Sequence, residues 1–83
     1  MSSRELNLLR DLFSSLLERG RQASAKAQRT SGADADGAFE RGRAQAYYAV
    51  LSSILNHLDA FGVERDAVGV PEHLDLEREL LVE

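Results

Sequence analysis

The stretch Phe39 to Phe61, FERGRAQAYYAVLSSILNHLDAF, carries more apolar surface than one neighbouring helix can cover. At about 100° per residue, Tyr47, Val50, Leu51, Ile54, Leu55, Leu58 and Phe61 fall within an arc of about 140°. The adjoining sector holds only small residues: Gly42, Ala46, Ala49, Ser53 and Ala60. Arg41, Gln45, Ser52, Asn56 and Asp59 make a narrow polar strip. A helix packed on one neighbour needs an apolar stripe of about 100°. The surplus calls for a second partner. Glu40, Arg41, Arg43 and Asp59 interrupt the run, so it does not read as a membrane span.

A second helix is legible upstream. Ser2 followed by Glu5 has the form of a capping box. Leu6, Leu9, Phe13, Leu16, Gly20, Ala23 and Ala27 then follow at alternating steps of three and four, with Leu12 and Leu17 alongside. This seam is coiled-coil-like and changes from Leu and Phe to Gly and Ala halfway along. It predicts helix one over about 3–29. Residues 30–37, TSGADADG, read as a turn, with Asp34 or Asp36 capping helix two over about 38–61.

Folding the chain about residue 33 predicts an antiparallel pairing. Ala27 falls near Phe39, Gly20 near Ala46, Leu16 near Val50 and Phe13 near Ile54. Leu9 falls near His57 and Leu58, and Leu6 near Phe61. Large residues then meet at the open end, and small ones near the turn. Gly62 suits a helix stop. Residues 63–70 have room for one helical turn closed by Gly69, and Pro71 is suited to open a short helix. The remainder, EHLDLERELLVE, alternates like a strand but also suits a short helix, which is favoured because a lone strand has nothing to pair with. The fold class is all-α, in one domain: a two-helix hairpin with an acidic tail over 62–83, helical or irregular, and a four-helix bundle as a dimer.

The dimer follows from size. A core this small supplies roughly 3–5 kcal/mol, and short chains add disulfides, metal or association. There is no cysteine, which removes disulfides and thiolate metal sites and fits the cytoplasm. The N-terminus lacks the basic and apolar regions of a signal peptide. The leading functional reading is a homodimerising protein–protein interaction module, neither enzyme nor cofactor carrier. Tyr47, Tyr48, Leu51, Leu55 and Leu58 are the expected dimer contacts, with the Ala46 and Ala49 stripe as the alternative seam.

Charge offers a second reading. Residues 1–43 hold eight Lys/Arg against six Asp/Glu, and residues 44–83 hold two against eight. Arg19, Arg21, Lys26, Arg29, Arg41 and Arg43 gather at the turn end, where Asp34, Asp36 and Glu40 reduce their sum to +3. A nucleic-acid regulator would use this end, but such proteins show a stronger basic face or a recognisable module. A solvated surface is the preferred reading of these charges. His57 and His73 each begin an H-x-D triplet, residue types that ligate metal or transfer protons. Residues two apart do not share a helix face, so a metal or catalytic role ranks last.

Overall fold

The computed structural model describes residues 2–30 and 35–81, and the described chain is helical, with two long helices packed against each other and a short tail. Helix α1 spans Ser3–Arg29. Its first turn is closed by the expected capping box: Ser2 Oγ accepts from the Glu5 amide at 3.2 Å, and Glu5 Oε2 accepts from the Ser2 amide at 3.3 Å. Helix α2 spans Ala35–Ala60. It is therefore formed earlier than the expected start at about residue 38. Asp36 sits inside its first turn, where a carboxylate is favoured by the helix dipole. The other candidate cap, Asp34, lies outside the described residues.

The α2 terminus shows why Gly62 stands where it does. Val63 donates to the Leu58 carbonyl at 2.9 Å, and Gly62 donates to the Asp59 carbonyl at 3.2 Å. This pair of bonds is a Schellman motif, and it needs the left-handed backbone Gly62 supplies at φ 71°. The reversal sends the chain back along the hairpin.

Packing between the long helices follows the expected gradient of size. Near the turn the buried residues are Gly20, Ala23, Ser24 and Ala27 of α1 with Gly37 and Ala44 of α2. Toward the open end Phe13 and Leu17 meet Leu51, Leu55 and Leu58. The register lies within one residue of the expected pairing, since Gly20 faces Tyr47 rather than Ala46. The buried face of α1 is rotated from the expected seam: Leu17 is fully packed, whereas Leu16 is only half-buried. Val50 and Phe61, placed in the core by periodicity, are exposed.

The tail accounts for that rotation. Residues 65–68 form a 3₁₀ turn, closed by Gly69 at φ 75°. Pro71 begins a turn in which Leu74 donates to its carbonyl at 3.2 Å, rather than the helix it was expected to open. That helix, α3, comes later at Leu76–Leu80, because Asp75 supplies its cap by accepting from the Arg78 amide at 3.2 Å. Val68, Val70, Leu76 and Leu80 are buried against the hairpin. Arg10 donates to the Ala67 carbonyl at 3.0 Å, Arg21 pairs with Glu79 at 2.8 Å, and the Tyr48 hydroxyl donates to Glu77 at 3.3 Å. These three bonds place the tail along one side of the helix pair.

Candidate functional site

With one side of the hairpin covered, the opposite side becomes the surface of interest. Among the described residues, five large apolar side chains there remain exposed: Leu8, Leu12, Phe39, Val50 and Phe61. Helical spacing puts them on two neighbouring stripes. On α1 the stripe runs Leu8, Leu12, Arg19, Lys26; on α2 it runs Phe39, Ala46, Val50, His57, Phe61. The tail-bonding residues Arg10, Arg21 and Tyr48 belong to other faces of the same helices. Leu8 is 65% exposed and Phe61 80%, and apolar groups gathered on one surface mark an interaction site.

At the open end this face dips into a groove. Leu9, Ile54, Leu58, Phe61 and Val63 line it, with Ser53 and His57 on one rim, and it encloses about 450 Å3. Leu9, Ile54 and Leu58 also line a smaller cavity with Leu12, Phe13 and Val68, so the inner wall of the groove is shared with the core of hairpin and tail. His57 Nδ1 lies 2.7 Å from the Ser53 carbonyl oxygen and donates to it, fixing the ring against its own helix. What this arrangement can do chemically is bury apolar surface.

The expected dimer contacts divide differently. Leu51 is 0% exposed, and Leu55 and Leu58 are almost as enclosed. They pack within the chain, where Leu76, Leu80 and Val68 supply the second partner that the wide apolar arc of α2 demanded. Tyr47 and Tyr48 are half-buried against the same core. Tyr47 lies against Gly20 with the Arg43 guanidinium 6.0 Å from its ring centroid, and Tyr48 is tied to the tail. The alternative stripe, Ala46 and Ala49, is exposed, and Ala46 stands on the uncovered side. Sequence reasoning missed Leu8 and treated Leu12 as a flank. Their spacing with Leu16 at steps of four was the available signal for a second apolar stripe on α1.

The basic residues of the turn end differ in their surroundings. Arg21 faces the tail in its pair with Glu79, while Arg43 pairs with Glu40 at 2.8 Å. Hydrogen bonding to Tyr47, and then the charge of Glu40, hold the Arg43 guanidinium above its ordinary pKa. Arg41 is also engaged by a neighbour. Arg19, Lys26 and Arg29 are exposed on α1. The two H-x-D triplets are likewise taken apart: Asp59 pairs with Arg65 at 2.7 Å, and Asp75 caps α3. Among the described residues no three His, Asp or Glu side chains gather as a metal-ligand set, and no helix is long and apolar enough to cross a membrane.

Protein-family models, curated proteins and solved structures return no match to this chain. The functional reading therefore rests on the uncovered face.

Proposed function

We propose that the chain is a helical protein–protein interaction module that homodimerises through the face opposite its tail. The observation that carries this is the segregation of exposed apolar residues. Of the large apolar side chains exposed among the described residues, all but Leu81 are Leu8, Leu12, Phe39, Val50 and Phe61, and helical spacing sets these on stripes other than those that bond the tail. Face-to-face pairing of two hairpins gives a four-helix bundle, a common way for short helical chains to enlarge their core. A twofold pair uses the same patch on both copies, and a patch formed by two parallel apolar stripes can complement itself. The cysteine-free composition fits a cytoplasmic protein that gains stability from association, without disulfides.

The test is solution mass by light scattering over a concentration series of the full chain, with Val50→Arg and Leu12→Arg in parallel. The expected result is a dimer for the natural sequence and a monomer of unchanged helicity for each variant. A natural chain that stays monomeric at every concentration overturns the proposal.

A further inference from the structure

We infer that the two copies lie antiparallel, overlapping through their apolar open halves and holding their basic turn ends at opposite ends of the assembly. This rests on the dimer reading above and adds the orientation, argued from two features of the chain: the first says which halves meet, and the second in which sense.

The first is the distribution of apolar groups along that face. Its open half carries the exposed Leu8, Leu12, Val50 and Phe61, with Ile54 and Phe61 lining the groove. Its turn half carries the exposed cations Arg19 and Lys26 on α1, with Phe39 as the one large exposed apolar side chain among its described residues. Burial of apolar area drives association, so the open halves are the parts that meet.

The second feature is charge. Residues 19–43 hold six Lys/Arg and three Asp/Glu, net +3, while the rest of the chain holds four against eleven, net −7. A parallel pair overlaps the open halves only by stacking the two +3 ends as well. That brings Arg19 and Lys26 against their own copies within a Debye length of about 8 Å. Like charges brought together across an interface oppose association. The antiparallel pair keeps the apolar overlap, centred near Leu12 and Ile54, and carries the basic ends apart. The molecule is 47 Å long and only about 20 Å wide, so the two orientations differ by a large distance.

Because the chain has no cysteine, one engineered thiol labels it uniquely. Ala25→Cys places a spin label at an exposed position near the turn end. Thirteen residues separate Leu12 from Ala25, so an antiparallel pair centred at Leu12 puts the two labels about 40 Å apart at about 1.5 Å per residue. A parallel pair holds them at the same level, within roughly two helix diameters, or about 20 Å. A pulsed spin-label distance near 40 Å on a sample of confirmed dimer mass is the expected result. A distance near 20 Å with the same mass overturns the antiparallel arrangement and leaves the dimer standing. A monomeric mass with no intermolecular distance overturns the dimer, and this inference with it.

Discussion

Leu80 fills the space left by the missing side chain of Gly20. A β-carbon built on Gly20 would come within 3.1 Å of Leu80 Cδ2 and 3.1 Å of the Tyr47 β-carbon. One contact is a movable methyl, but the other is fixed to the α2 backbone. Gly20→Val is therefore expected to destabilise the chain by about 1–3 kcal/mol through overpacking. At roughly 4–8 °C per kcal/mol, a thermal melt resolves this easily. Gly42 is the control. A β-carbon there meets nothing within 4 Å, so Gly42→Ala is expected to raise stability by about 0.5–1 kcal/mol through helix propensity. Equal effects of the two substitutions would remove the packing argument.

Leu80 is also among the largest fully buried side chains. Truncating it in Leu80→Ala is expected to cost about 2–5 kcal/mol in chemical denaturation. Amide exchange along residues 65–80 should accelerate more than exchange within α1, since the tail loses its deepest anchor.

Leu55 and Val50 separate folding from association. Leu55 is enclosed by the hairpin and tail, whereas Val50 is 47% exposed on the uncovered face. An unpaired charge in the core is costly, so Leu55→Arg is expected to abolish the cooperative melt. Val50→Arg is expected to keep full helicity by circular dichroism while losing the dimer.

The Asp59–Arg65 pair gives a pH dependence of defined sign. Its hydrogen bond to Arg65 holds the Asp59 carboxyl below its ordinary value of 3.8. A carboxylate whose pKa is lower in the folded chain stabilises the fold above the unfolded pKa and loses that contribution as pH falls through the folded one. The contribution is thus complete at neutral pH, begins to be lost as pH falls below the ordinary value of 3.8, and is gone once the pH is below the folded value. Asp59→Asn should lower stability at pH 7 slightly, as expected of an exposed pair. It should converge with the natural sequence in acid, measured by denaturation at both pH values.

The hairpin was legible because its signals are local. The Ser2–Glu5 box, the three–four spacing of α1, and Gly62 at the end of α2 each act within one or two helical turns. The side of α2 that receives the tail was not legible, because it depends on contacts across most of the chain. Arg21 reaches Glu79 and Gly20 reaches Leu80, so the buried face turns toward Leu17 and away from Leu16 and Val50. Periodicity identified the excess apolar surface of α2 but assigned it to a second copy, when much of it meets the tail. Pro71 misled for a related reason: its fixed φ suits a first helical turn, but the capping carboxylate of Asp75 lies four residues further on.

The bond between Arg21 and Glu79 spans 58 residues, whereas the two long helices follow each other closely in the chain, α1 ending at Arg29 and α2 beginning at Ala35. Loop closure is slower for distant partners, so the order of events in folding follows from this geometry. The two long helices can pair first, and α3 settles onto them last. Interactions absent at the folding barrier act on the unfolding rate. The tail then behaves as a latch on lifetime, and weakening it at Leu80 shortens the survival of the folded chain while leaving its rate of formation almost untouched.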